Sequence, residues 1–165
     1  MYLFGHVGFT TAAVRRDRGV DLRAALLMAL LPDLIDKPVR LLWPALVSYN
    51  TRSFAHSLLG AAAALVVLLA LRVGRPWLLW ACYLGHLLLD RMWLNDSPAI
   101  LLWPLLGPLR RPTTDYTVDT ALTVYNILSE IAGLALLIHI ARRHGLFRRA
   151  RLTALLRTGR LPDPI

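Results

Sequence analysis

Two polar side chains in an otherwise apolar segment, His86 and Asp90, have the types and the spacing that a metal site needs. They lie in GHLLLDRMW, residues 85–93, and residues four apart share one face of a helix, about 6 Å apart along its axis. Imidazole and carboxylate groups together bind zinc, manganese or iron. The alternative is a hydrogen-bonded pair that only fixes helix packing.

Three further candidate ligands come from other segments of the chain. Antiparallel helices joined by short links are the commonest connection. Such hairpins bring His6 close to the level of Asp33, and His56 to within about two turns of the level of His86 and Asp90. Ionisable groups in an apolar bundle are costly unless they are paired or bound to metal. Taken singly, each could instead be a capping or interfacial residue. Together they predict a divalent metal site, most readily zinc, with these ligands: His6, Asp33, His56, His86 and Asp90.

Three other residues are candidates for catalytic roles beside the metal. A bound divalent ion lowers the pKa of its water to about 7 and so prepares hydrolysis, for which Asp36 is a candidate base, although it could merely cap a turn. Arg52 could position an anionic substrate or be solvated. Glu130, in the middle of an apolar segment, could reach the metal, hold a ligand histidine or be protonated and inert, and we favour the second role.

The elements that position these residues are predicted to be membrane helices. The chain has 165 residues, of which 56% are hydrophobic and 18% charged, so it has more apolar side chains than a core of this size can bury. We expect an all-α, integral membrane bundle with three full spans, at 54–73, 77–94 and 120–141, the last capped by Asp119. Shorter helices are expected at 2–15 and at 22–31, which Pro32 ends, and an interfacial or re-entrant segment at 100–109.

The charge distribution predicts how the bundle is oriented. There are 19 Lys and Arg residues against 10 Asp and Glu, and 13 of the arginines fall in the two tight turns and the C-terminal tail. By the positive-inside rule, that end is cytoplasmic and the polar cluster faces outward. We therefore expect a multi-pass protein of a bacterial- or archaeal-type cytoplasmic membrane, with a membrane-embedded metal-binding domain at 1–145 and a basic amphipathic tail at 146–165. The position of these arginines at the inner surface of the lipid bilayer accounts for the excess of positive charge, so we expect no nucleic-acid partner.

The single cysteine, Cys82, excludes an internal disulfide bond and a cysteine-rich zinc site. The first residues contain no basic segment followed by a small-residue cleavage site, so we expect no removable signal peptide.

Several motifs resemble, in order over residues 1–107, the LexA-regulated, membrane-bound metal-dependent hydrolase family. They are GH near the N-terminus, LLPDLIDKP (30–38), RSFAHSLLG (52–60), GHLLLDRMW (85–93) and LLWPLLG (101–107). The resemblance implies a multi-helix inner-membrane protein with metal-dependent hydrolase activity, and the family's His and Asp positions fall on the five predicted ligands. More distantly, the pattern is similar to the zinc phospholipase C and P1 nuclease group, which implies phosphoester hydrolysis.

Two functions are compatible with these features. The first is a membrane-bound metal-dependent hydrolase that acts on a phosphoester of a lipid or lipid-linked substrate at the outward membrane face. The second is a non-catalytic protein that binds or transports metal, for which a polar path through the bundle, including Glu130, would be the signature.

Overall fold

The computed structural model describes residues 1–42, 52–94, 97–107 and 123–165, and these residues form helices and connecting turns with no strand. The prediction of an all-α fold is confirmed for this part of the chain. A short 3₁₀ helix, Phe54–His56, precedes α3. The α-helices are α1 (Leu3–Val14), α2 (Leu22–Leu42), α3 (Leu58–Ala70), α4 (Pro76–Leu89), α5 (Ser97–Leu101), α6 (Val124–Arg143) and α7 (Arg149–Thr158).

Among the described helices, only α6 is long and apolar enough to cross a membrane. The prediction of three full spans is therefore wrong for the first two, at 54–73 and 77–94. Helices α3 and α4 contain 13 and 14 residues, which at 1.5 Å per residue makes each about 20 Å long, whereas a bilayer core is about 30 Å thick.

Specific signals make α3 start later and α4 end earlier than their hydropathy suggests. The Ser57 side chain caps α3 by accepting a hydrogen bond from the Gly60 N–H, so the segment before it is not part of the helix. Helix α4 ends at Leu89 because Arg91 takes a left-handed conformation, with φ of 54°. The Met92 N–H then bonds back to the Leu87 carbonyl oxygen at 3.2 Å, which closes the helix in a Schellman turn.

Helix α2 continues where the sequence predicts an end. It runs through Pro32 and Pro38 to Leu42, although proline removes a backbone donor and crowds the preceding turn. As a result, Asp33 and Asp36 lie three residues apart on one helix rather than in a loop.

The third predicted span is present as α6, with a different start. The Thr123 side chain caps it by accepting from the Asn126 N–H, whereas Asp119 and residues 120–122 lie outside the described residues. The segment predicted at 100–109 contains the end of α5 and a turn through Gly107, and its last two residues also lie outside the described part.

Helix α1 packs between α2 and α6, and α4 packs between α2 and α3. Glycines allow the closest approach, because a Cβ atom on Gly8 would lie 2.6 Å from the Gly133 Cα atom. The outer faces of α3 and α6 carry large exposed apolar side chains, which are typical of contact with lipid. They include Leu58, Leu59, Val66, Val67, Leu69, Ile127, Leu128, Ile131, Leu134 and Ile138.

The two tight turns and the C-terminal tail gather at one end of the bundle, here called the basic end. The Leu22 N–H bonds to the Gly159 carbonyl oxygen at 2.7 Å, and Arg23 donates to the Leu156 carbonyl oxygen at 3.0 Å. Arg75 in the second turn pairs with Asp17 in the first. The arginine-rich segments that the sequence assigns to one side are therefore in contact with one another.

Candidate metal centre

All five predicted ligands meet at the end of the bundle opposite the basic end. Two groups of potential ligand atoms share His86, one with His6 and Asp33 and the other with His56 and Asp90. Within each group the atoms lie within 4.8 Å of one another. Four elements contribute: α1, α2, the 3₁₀ helix, and α4 with the residue that follows it.

The imidazole rings of His56 and His86 are locked through their Nδ1 atoms. Nδ1 of His56 lies 2.7 Å from Asp36 Oδ2, and Nδ1 of His86 lies 2.7 Å from the Ala29 carbonyl oxygen. Because a carbonyl oxygen and a carboxylate both accept, each Nδ1 carries a hydrogen, and in the neutral ring Nε2 presents a lone pair. The two Nε2 atoms lie 3.2 Å apart, so they need a shared proton or a cation.

The separation of these nitrogens suits a metal ion. Two imidazole nitrogens bound at about 2.1 Å to one tetrahedral ion lie about 3.4 Å apart, close to the observed 3.2 Å. A carboxylate stands beside the two nitrogens, since Asp90 Oδ2 lies 3.7 Å from His56 Nε2 and 3.8 Å from His86 Nε2. The donor set therefore fits a divalent cation.

Asp90 is the most heavily contacted carboxylate of the cluster. Its Oδ1 lies 3.2 Å from His6 Nε2 and also contacts the amino group of Met1, and its Oδ2 lies 3.0 Å from Arg52 Nη2. Burial opposes ionisation, but attraction to the two neighbouring histidines and the charge of Arg52 hold the pKa of Asp90 well below its usual range. The carboxylate is therefore available as an anionic ligand.

His6 stacks on His86, with ring centroids 4.0 Å apart and planes 13° apart. Its Nδ1 is buried and has no hydrogen-bond partner. A buried imidazole nitrogen without a partner is costly, and it is a further donor atom that a bound ion would satisfy.

Asp33 and Arg52 form the less buried rim of the cluster. Asp33 Oδ1 lies 3.6 Å from His56 Nε2, while its other oxygen pairs with Lys37 Nζ at 2.6 Å. The side chains of Asp33 and Arg52 are 17% and 18% exposed, whereas those of the three histidines are at most 1% exposed. This side of the cluster is therefore its most accessible side.

Asp36, a candidate base from the sequence, lies behind His56 rather than at the rim. It is fully buried, and besides His56 its oxygens accept from the backbone N–H groups of Ser53 at 2.7 Å and Ala55 at 3.3 Å. Burial alone would lower the pKa of His56, but the hydrogen bonds and charges of Asp36 and Asp90 raise it above its usual value. The contacts of Asp36 orient the ring of His56.

Glu130 lies against the start of α1 and not against a histidine, so the role favoured from the sequence is wrong in its detail. Its Oε2 and Oε1 accept from the backbone N–H groups of Phe4 and Gly5, each at 3.0 Å. A carboxylate at a helix N-terminus satisfies free donors and interacts favourably with the helix dipole. Glu130 therefore anchors the helix that carries His6.

Sequence reasoning does not identify two contributors to the cluster. The Ala29 carbonyl oxygen, which binds His86, belongs to the turn before Pro32, and a backbone carbonyl leaves no mark in the residue type. Lys37 is visible in the sequence, but its pairing with Asp33 depends on the continuation of α2 as a helix. Neither the carbonyl nor the pair could be identified without that helix.

The comparisons with known proteins bear on the membrane assignment. The family model described as YdjM inner membrane protein matches residues 2–157. Searches of curated proteins and of solved structures find no match to this chain. The family match confirms the expectation of an inner-membrane protein, while hydrolase activity and the likeness to zinc phospholipase C stay predictions. The chain belongs to the YdjM inner membrane protein family.

Proposed function

We propose that this protein is a membrane-bound, metal-dependent hydrolase of phosphoester bonds in a lipid or lipid-linked substrate. The observation that carries the proposal is the pair of locked imidazoles, whose Nε2 atoms lie 3.2 Å apart beside two carboxylates. A zinc ion, or manganese or iron, would be held by His6, Asp33, His56, His86 and Asp90. When bound there, such an ion supplies Lewis acidity and a water of lowered pKa.

The surrounding residues have separate tasks in this proposal. Asp36 and the Ala29 carbonyl oxygen keep the two imidazole rings in the tautomer that exposes Nε2. Asp33, at the rim and 17% exposed, is the ligand carboxylate that would take a proton from the attacking water, a role for which the buried Asp36 is badly placed. Arg52 holds Asp90 in place and adds positive charge where a phosphate group would enter.

The apolar surroundings favour a lipid substrate. The rim residue Asp33 is followed by Leu34, and the rim residue Arg52 is close in sequence to Phe54, and both apolar side chains are exposed. An acyl chain entering from the membrane would contact such side chains. The predicted orientation, with this end outward and the tail cytoplasmic, remains part of the proposal.

Elemental analysis of the detergent-purified protein is the first test, and we expect at least one transition-metal ion per chain. H86A removes the ligand shared by both groups and should lose the metal, whereas H139A, which changes an exposed histidine of α6, should keep it. Absence of stoichiometric metal, or unchanged metal content in H86A, would contradict the proposal.

Activity separates the enzyme from the alternative function. We expect release of the headgroup or of phosphate from short-chain phosphatidylglycerol or phosphatidate, abolished by a chelator and by H86A but not by H139A. A protein that retains its metal, hydrolyses neither lipid and carries metal ions into proteoliposomes would be a transporter instead. Against a transport path, the Glu130 carboxylate is already bound to the backbone of α1.

A further inference from the structure

A cavity lies at the basic end, far from the metal centre. It has a volume of about 190 Å³ and is lined by the turn between α1 and α2 and by residues 159–163 of the tail. Val14, Val20 and Leu22 contribute buried apolar side chains to its wall. The cavity is therefore amphipathic, because arginines also line it.

The lining arginines have more positive charge than the nearby carboxylates neutralise. The two aspartates in the wall are already paired, Asp17 with Arg75 and Asp163 with Arg18. The second pair is highly exposed on both sides, so it contributes little and exchanges readily. Among the described residues, Arg15 and Arg160 have no carboxylate partner. Arg15 donates from Nη1 to the Ala12 carbonyl oxygen, and its other N–H groups, like those of Arg160, are able to bind an anion.

The tail that closes the cavity also touches the end of the membrane-length helix. The Ile165 N–H bonds to the carbonyl oxygen of Arg143, the last residue of α6, at 3.0 Å. Nδ1 of His144, the next residue, donates to the Pro162 carbonyl oxygen at 2.6 Å. When α6 spans the bilayer, its end and this cavity lie at the depth of the lipid headgroups.

We propose that this cavity binds the phosphate group of an anionic phospholipid, with Arg15 and Arg160 as its cationic ligands. Guanidinium groups bind phosphate oxygens through paired, charge-assisted hydrogen bonds. The apolar wall then contacts the glycerol and the first carbons of the acyl chains, which inorganic phosphate lacks. This proposal is independent of the metal centre, since none of the residues involved belongs to it.

The test uses the full-length protein in detergent, with a chelator present so that the metal centre does not contribute. Binding of dihexanoyl phosphatidate is measured by titration and by the rise in Tm, beside inorganic phosphate and dihexanoyl phosphatidylcholine. We expect phosphatidate to bind more tightly than either of the others. R15Q/R160Q should weaken it about tenfold or more, since two charge-assisted hydrogen-bonding groups are lost.

The matched control is R16Q/R149Q, which removes the same charge from exposed arginines of the same end that do not line the cavity. It should change the affinity by less than about twofold, as expected for a screened surface charge. An equal loss of phosphatidate affinity in both double variants would show that only the general surface charge matters, and this would overturn the proposal. Equally tight binding of inorganic phosphate would overturn the assignment to a lipid. R160Q alone, at an exposed side chain, repeats the test if the double variant fails to fold.

Discussion

The Nε2 atoms of His56 and His86 lie 3.2 Å apart, and neither ring is free to turn away from the other. Asp36 and the Ala29 carbonyl oxygen bind the opposite nitrogens, so both rings present the same kind of atom to the shared space. Two lone pairs at this distance repel each other in a buried site. The fold therefore has an energetic requirement for positive charge at this point.

Removal of the metal should destabilise the protein through this pair. A ligand that binds only the folded state at 100 times its Kd adds about 2.7 kcal/mol to stability, so a chelator should lower Tm measurably. In H86A the chelator should leave Tm unchanged, because the shared ligand is absent. A chelator effect of equal size in wild type and H86A would show that the stabilising metal binds elsewhere.

D36N should weaken metal binding without removing a metal ligand. All three groups that contact the Asp36 oxygens are N–H donors, so the amide NH₂ of asparagine must face one of them. Loss of such an orienting partner typically costs about 10- to 100-fold in metal affinity, measured by competition with a chromogenic chelator. D163N, at the basic end, is the control and should bind metal normally. An affinity for D36N within twofold of wild type would exclude the orienting role.

G133A should separate α1 from α6. A methyl group there would overlap the Phe4 carbonyl oxygen and lie 2.6 Å from the Gly5 Cα atom, and overpacking of this kind costs about 1–3 kcal/mol or more. Gly85 in α4 offers the matched control, since a methyl group there meets no atom within 4 Å. G85A should keep or raise Tm, because alanine favours a helix by up to about 1 kcal/mol. Equal Tm values for the two variants would contradict the close packing.

E130A should loosen the start of α1. It removes the acceptor for two backbone N–H groups, and loss of a helix cap costs about 0.5–2 kcal/mol. We expect a lower Tm and faster hydrogen exchange in the first turn of α1, with E130Q intermediate because it keeps one side-chain oxygen. H139A, on an exposed face of the same helix, should behave as wild type. Unchanged exchange in α1 would show that the anchor contributes nothing.

The sequence was sufficient to place the candidate ligands near one another. Hairpin geometry alone put His56 opposite His86 and His6 near Asp33, because the separation along a helix is fixed at 1.5 Å per residue. It was not sufficient to assign Asp36 and Glu130, whose contacts depend on backbone N–H groups of other segments. Every residue carries such a group, so side-chain patterns do not reveal which ones meet.

The limits of helices were the least predictable part of the fold. Hydropathy favours long spans at 54–73 and 77–94, but the Ser57 cap sets a later start for α3 and the left-handed Arg91 ends α4. Conversely, Pro32 suggested an end to α2 that does not occur. In each case packing against a neighbouring helix or a local hydrogen bond outweighs the average preference of the residue type.

The anchoring of α1 by Glu130 has a consequence for biosynthesis. His6 is made among the first residues, but Glu130, whose carboxylate holds its helix, follows Phe4 by 126 residues. Domains form during translation as their parts emerge. The hydrogen bonds from the first turn of α1 to Glu130 therefore form only after α6 has been synthesised. A nascent chain that stops short of α6 therefore lacks the acceptor for the Phe4 and Gly5 N–H groups, and the helix that carries His6 then has its contacts with α2 and α4 but not its anchor.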